Sequence, residues 1–162
     1  MKKLTALMLL FMLLTGLIGC DRSPEFEQPL NFYYQNIDLS YDETCTAVLP
    51  ETREGAQLHS TQEILNLYFA GPVSDSLATP FPAGLRLVSC QLDGKNLYLT
   101  VSDELAALSG MELTMACCCI TLTCLSITDA ENVTIQAESA MLGNQETITM
   151  NKDALLMLDP GK

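Results

Sequence analysis

The residues that could carry catalysis are few and scattered. The sequence has one histidine, His59, and it has no HExxH pair, no GxSxG nucleophile loop and no glycine-rich phosphate loop. A lone histidine beside a helix start is more often a surface residue than a general base. The adjacent acids Asp103 and Glu104 fit the charge preference of a helix N-terminus. We therefore predict no catalytic residue, no cofactor and no metal site, and a protein that is not an enzyme.

The seven cysteines are the other residues that could take part in catalysis, redox chemistry or metal binding. They include no CxxC spacing, so neither a thioredoxin-type site nor a zinc knuckle is indicated. The run Cys117–Cys119 would fan out in steps of about 100° on a helix, which prevents all three thiols from facing one metal. We predict that these residues and Cys124 are reduced thiols that pack as small hydrophobes. A disulfide, for example between Cys45 and Cys90, and a metal or redox site are the alternatives.

The N-terminus indicates export and lipidation. Two lysines precede an apolar run over residues 4–18, which is short for a membrane span and typical of a signal-peptide core. The run ends in Leu-Ile-Gly19-Cys20, which resembles the bacterial lipobox, where a peptidase cuts before a lipidated cysteine. An ordinary secretory signal or a short anchor helix is the alternative. We predict a signal peptide over residues 1–19, cleavage between Gly19 and Cys20, and lipid on the Cys20 thiol. The protein would then be extracytoplasmic and anchored to the cell membrane.

Composition and charge limit the class of partner. The chain has 20 acidic and 8 basic residues in 162, and 48% of it is hydrophobic. Loss of residues 1–19 removes two lysines and no acid, which leaves 143 residues with a formal charge of −14. Such a charge excludes a nucleic-acid binder that works by neutralising phosphates, and it disfavours electrostatic docking on anionic lipid. This negative charge is compatible with a protein partner and would attract a basic one.

The first half of the chain predicts strands and one helix. Residues 20–29 are polar and proline-containing, which indicates a flexible tether before one domain over residues 30–162. Alternating apolar residues predict a strand from Leu30, and Thr46–Arg53 predicts a second strand at a sheet edge, because Pro50 has no amide donor. Ser60 and Glu63 match a capping box, which predicts a helix that begins there.

The second half adds a hairpin, helices and further strands. Asp93-Gly94 predicts a two-residue type I′ turn between strands over residues 85–92 and 95–101. A short helix should follow from Ser102, and residues 113–124 have the spacing of a longer helix with one buried stripe. Strands should follow at residues 133–137 and 148–150, before an end that could form a strand or a short helix. This order predicts an α+β two-layer sandwich, with a mixed or antiparallel sheet covered on one face by two helices.

Several short motifs occur together in the middle of the chain: EILNLYFAG followed by proline, TPFPAG, LVSCQLDG, VSDE and CITLT. This ordered set resembles the GerMN domain of sporulation and spore-germination lipoproteins. The resemblance extends over roughly residues 30–137 and implies a single GerMN copy with a fold similar to ring-building motifs. It implies assembly functions and no catalysis. The residues that carry it read as structural rather than catalytic: Gly71, Pro72, Pro80, Pro82, Gly84, Asp93 and Gly94.

Two functions follow as expectations. The first is a non-enzymatic, membrane-tethered interaction or assembly module of the cell envelope, tied to sporulation or germination, with an unidentified protein partner. The alternative is a module that binds peptidoglycan fragments. That alternative predicts a concave groove with exposed aromatic residues, for which Tyr33, Tyr98 and Phe81 are the candidates.

Overall fold

A computed structural model describes residues 29–37, 47–54 and 60–155. Seven strands occur in these residues: β1 Leu30–Asn36, β2 Val48–Arg53, β3 Leu77–Ala78, β4 Leu87–Asp93, β5 Asn96–Val101, β6 Asn132–Ala137 and β7 Thr147–Asn151. The helices are α1 Thr61–Phe69, α2 Gly110–Ile127, the short α3 Lys152–Leu155 and a 3-10 helix over Asp103–Ala107. The predicted order of the main elements is confirmed, and β3 is an addition.

The strands divide between two sheets, whereas the sequence analysis expected one. The first sheet has the order β2-β1-β3 and is antiparallel. The second has the order β4-β5-β6-β7, in which β5 and β6 are parallel and the outer pairs are antiparallel. Helix α2 contacts β1 as well as β6 and β7, so that it connects the two sheets through the core. The predicted α+β class is confirmed.

The predicted β1, β2 and α1 form, although β2 begins at Val48, two residues later than predicted, and Thr46 lies outside the described residues. The inward side chains of β1 alternate with partly exposed ones, and β2 lies at the edge of its sheet. The Ser60 hydroxyl accepts a hydrogen bond from the Glu63 amide at 3.2 Å, and the Glu63 carboxylate accepts one from the Ser60 amide at 3.1 Å. Gly71 follows the helix with φ +97°, in the left-handed region that favours glycine.

The hairpin between β4 and β5 is tight, but its turn is not the predicted type I′. Asp93 pairs with Asn96, so that the two central residues are Gly94 and Lys95. Gly94 has φ +58°, and Lys95 has no positive φ. A type I′ turn needs positive φ at both central residues, whereas a type II′ turn needs it only at the first. The turn therefore lies one residue later than predicted, and Gly94 takes its first central position instead of its second.

Helix α2 is buried far more completely than the single predicted stripe. Its buried side chains are Leu113, Ala116, Cys117, Cys118, Cys119, Ile120, Thr121, Thr123, Cys124 and Ile127. Among the described residues it is also the one helix long and apolar enough to cross a membrane. Because both sheets contact it, the apolar composition is that of a core helix.

Candidate functional site

The motif residues of the sequence lie at three places in the fold. Gly71 and Pro72 end α1, while Asp93 and Gly94 stand at the tip of the β4–β5 hairpin. The segment over residues 79–84, which includes Pro80, Pro82 and Gly84, crosses from β3 to β4. A Cβ on Gly71 would lie 3.1 Å from Thr79 Cγ2, so that the end of α1 packs closely on the start of this crossover.

A partly buried ion pair fastens β2 to the end of α1. The Glu51 carboxylate accepts hydrogen bonds from the amides of Val73 at 2.9 Å and Ser74 at 2.8 Å, and it pairs with Arg53. The Arg53 guanidinium donates to the Gly71 carbonyl at 2.6 Å. Burial raises the pKa of Glu51, but the hydrogen bonds from Ser74, Arg53 and Val73 together lower it by more. The pKa of Glu51 therefore lies below the ordinary 4.5. This carboxylate holds a loop in place.

An aromatic cluster fills the space between α1, β1 and the crossover. The Tyr68 ring contacts Tyr34 at 5.0 Å and Phe81 at 5.4 Å between centroids. The Tyr34 hydroxyl donates to the Tyr68 carbonyl at 2.8 Å, and the Tyr68 hydroxyl donates to the Tyr33 carbonyl at 3.1 Å. Phe81 is only 7% exposed and belongs to this core.

The three aromatic residues therefore do not line one groove together, as the alternative function would require. Phe81 is buried in the cluster, Tyr33 lies half-buried in β1, and Tyr98 is exposed in the other sheet. The Phe81 ring packs in the core, because burial of its apolar surface stabilises the folded protein. Of the three, Tyr98 has the most exposed side chain.

An apolar groove of about 470 Å³ lies between the crossover and the start of α2. Its lining residues are Gln35, Thr79, Pro80, Phe81, Pro82, Ala107, Leu108, Met111, Glu112 and Met115. Met111 is 77% exposed, and Glu112 is the charged residue of the lining. Methionine adapts its shape to a ligand, so that this groove suits an apolar segment whose fit is not rigidly defined. We refer to it below as the Pro–Met groove.

A second surface is the outward face of the four-stranded sheet, which we call the neutral face. The strand registers place its side chains in three rows that cross β4, β5, β6 and β7 in turn. The rows are Ser89, Thr100, Gln136 and Thr147, then Gln91, Tyr98, Thr134 and Thr149, then Asp93, Asn96, Asn132 and Asn151. All twelve side chains are polar and exposed or half-exposed, and Asp93 alone is charged.

The core thiols have no chemical partner. Cys90, Cys117, Cys118, Cys119 and Cys124 are free, and all but the half-buried Cys90 are buried, as predicted for the α2 thiols. Cys90 is free in the described residues, and Cys45, its partner in the alternative disulfide, lies outside them. Burial raises the pKa of Cys117 to about 12 and raises those of Cys119 and Cys124 well above the ordinary 9. Thiols this far from ionisation are poor nucleophiles and poor metal ligands.

Acidic and metal-binding candidates give no catalytic arrangement. The Asp103 carboxylate accepts hydrogen bonds from the amides of Ser139 at 2.8 Å and Ala140 at 3.0 Å, so that it fastens the loop after β6. Over the ranges that the structure describes, no three His, Cys, Asp or Glu side chains come close enough to hold a metal ion. Gly19, Cys20, Cys45 and His59 lie outside these ranges, and the predictions made for them stay predictions.

Comparison with known proteins places the chain in a family. Residues 31–143 match the family model described as Germane: Sporulation and spore germination. The fold is similar to the tandem GerMN domains of the sporulation protein GerM from Bacillus subtilis, with a TM-score of 0.54 and 21% identity over 74% of this chain. It is also similar to the first GerMN domain of that protein, with a TM-score of 0.53 and 11% identity over 74% of this chain and 91% of that domain.

The chain spans 42% of the tandem structure, and no curated protein matches it significantly. Since the two solved structures are distant in sequence, they show the fold alone. The family model covers well over half of the chain, and it agrees with the GerMN motifs seen in the sequence. The protein therefore belongs to the Germane family of sporulation and spore-germination proteins.

Proposed function

We propose that this protein is a non-enzymatic, membrane-tethered module of the cell envelope that assembles with a partner protein during sporulation or germination. Family membership supports the process, and the lipobox-like sequence that ends in Cys20 supports the tether. In the described residues, the ionisable groups buried in the core are thiols and tyrosines that stay neutral, and the partly buried Glu51 beside it holds a loop. These are groups of a scaffold, which supports binding rather than catalysis.

The Pro–Met groove is the observation that carries the interaction role. Met111 and Met115 stand one helical turn apart and face the prolines of the crossover across an open space. Met111 is 77% exposed, so that a partner that covers it removes apolar surface from water, which favours binding. The crossover is rigid because proline fixes its own backbone, so that less ordering is needed on binding.

Charge defines the partner segment further. Glu112 lines the groove, and the whole chain carries a formal charge of −12. A segment with apolar residues for the groove and lysine or arginine at its border would be attracted and oriented by this charge. The proposed partner is therefore an envelope protein that presents an apolar segment with basic flanks.

A complementation experiment tests the proposal. Deletion of the gene in the source organism should lower the yield of heat-resistant spores or slow their germination, and the wild-type gene should restore both. Met111→Glu should fail to restore them, because a charge would occupy the groove, while an acid in the first turn of α2 leaves the helix stable. Met141→Glu is the matched control, since Met141 is 52% exposed and does not line the groove.

The outcomes separate the parts of the proposal. Normal sporulation and germination after deletion would overturn the assigned process. Equal restoration by Met111→Glu and Met141→Glu would remove the Pro–Met groove as the docking site. Metabolic labelling with a radioactive fatty acid should mark the wild-type protein and leave Cys20→Ala unlabelled, and equal labelling of the two would contradict a lipid anchor at Cys20.

A further inference from the structure

The neutral face is chemically unlike the rest of this acidic protein. Eleven of its twelve side chains are uncharged hydroxyls or amides, and the single acid, Asp93, stands at a corner next to the hairpin turn. An interface for another protein normally has an apolar centre, and a surface for a polyanion needs cations. The neutral face has neither, so that its chemistry matches a ligand that is itself uncharged and rich in hydroxyl and amide groups.

Each row of the face is held in place by a hydrogen bond between side chains of adjacent strands. The Gln136 amide donates to the Thr100 hydroxyl at 3.0 Å, and the Asn132 amide donates to the Asn96 side-chain carbonyl at 3.1 Å. In the middle row, the hydroxyls of Thr134 and Thr149 are 2.9 Å apart. Side chains that are already ordered lose little entropy when a ligand binds, which favours a flat polar recognition surface.

Tyr98 supplies the one ring of the face and lies in its middle row. Gln91 and Thr134 stand beside it on the neighbouring strands, and Asn96 and Thr100 flank it along β5. The side chain is 47% exposed. A tyrosine with an apolar ring and a polar tip, surrounded by amides and hydroxyls, can stack on the CH face of a sugar while its neighbours bond the sugar substituents.

We infer that the neutral face binds the glycan strand of the cell wall, a chain of N-acetylated hexosamines. The Tyr98 ring stacks on one sugar, and the amides of Gln91 and Asn96 pair with hydroxyl and acetamido groups of the sugars nearby. Within a row, side chains on adjacent strands are about 4.8 Å apart, which offers repeated contacts to an extended polymer. This site is independent of the Pro–Met groove, so that each proposal can fail without the other.

Titration of chitohexaose, a neutral oligomer of N-acetylglucosamine, into the detergent-solubilised full chain tests the inference. We expect measurable binding by calorimetry, a loss of about tenfold or more in affinity for Tyr98→Ala, and affinity within about twofold of wild type for Tyr98→Phe. Met141→Ala is the matched control, because it truncates another exposed side chain outside both the neutral face and the Pro–Met groove, and it should leave chitohexaose binding unchanged. All variants should keep a cooperative unfolding transition and be folded under the titration conditions, since 47% of the Tyr98 side chain is exposed.

Three results would overturn the inference. One is a wild-type protein that binds neither chitohexaose nor purified peptidoglycan. Another is a Tyr98→Ala variant that binds as tightly as wild type. A third is a Tyr98→Ala variant that fails to restore sporulation while chitohexaose binding is absent, which would make the neutral face a protein-docking surface instead.

Discussion

At the scale of single residues, two threonines of α2 show that the effect of a buried hydroxyl on stability depends on whether it has a hydrogen-bond partner. Thr121 and Thr123 are both fully buried. The Thr123 hydroxyl accepts a hydrogen bond from the Tyr33 amide at 2.9 Å, which ties α2 to β1. In the part of the chain that the structure describes, the Thr121 hydroxyl is the one buried side-chain polar atom with no hydrogen-bond partner. An unpaired hydroxyl in the core costs about 1–3 kcal/mol.

Replacement of each threonine by valine should therefore change stability in opposite directions. Thr121→Val removes an unpaired hydroxyl at nearly constant shape, and it should stabilise the protein by about 1 kcal/mol. Thr123→Val leaves the Tyr33 amide unpaired, and it should destabilise the protein by about 1–3 kcal/mol. Urea unfolding with an unchanged slope would report both as shifts of the midpoint. A loss of stability on Thr121→Val would mean that its hydroxyl has a partner.

At the scale of elements, burial of α2 should protect its thiols from reagents. Burial raises the pKa of Cys117, Cys119 and Cys124 far above the ordinary 9, so that almost no thiolate is present at pH 8. We expect iodoacetamide at pH 8 to leave these three unlabelled in the native protein and to label them all in guanidinium chloride. Peptide mapping by mass spectrometry distinguishes the sites. Native labelling of Cys117 as fast as in denaturant would contradict the core position of the helix.

The elements also show which parts of the fold the sequence could predict. The capping box of Ser60 and Glu63 and the left-handed Gly71 depend on residues close in sequence, and these predictions are confirmed. Strand β3 has only two residues, too few for any alternation, and it forms because Leu77 and Ala78 meet the distant end of β1. The division into two sheets likewise depends on long-range pairing, on which local patterns carry no information.

The candidate surfaces were predictable to a similar extent. Alternation in β5 placed Tyr98 outward, but the rows of the neutral face need the register of all four strands. Proline spacing marked the crossover, whereas the role of Met111 and Met115 in the groove was missed, and their i, i+4 spacing was the available indication. Phe81 was misassigned because an aromatic residue between two prolines has the same sequence pattern whether it is buried or exposed.

At the scale of the whole molecule, ionisable groups near the core limit stability at both ends of the pH range. The pKa of Glu51 in the folded protein is below its ordinary 4.5, so that the stability it contributes is complete above pH 4.5. That contribution is lost as the pH falls through the lower folded pKa. The buried thiols have the opposite sign, because their folded pKa lies above 9. Their contribution is complete below pH 9 and declines as the unfolded chain ionises above it.

The free energy of unfolding should therefore be highest between about pH 5 and pH 9 and should fall on both sides. Urea unfolding in the presence of a thiol reductant, repeated from pH 3 to pH 10, measures this profile. Glu51→Gln should lower stability at pH 7, because the loop amides and Arg53 lose a charged acceptor, and it should flatten the acid side. Cys117→Ala should reduce the slope on the alkaline side and leave the acid side unchanged. An acid slope as steep in Glu51→Gln as in the wild type would show that other carboxylates, and not this partly buried pair, limit the stability of the protein in acid.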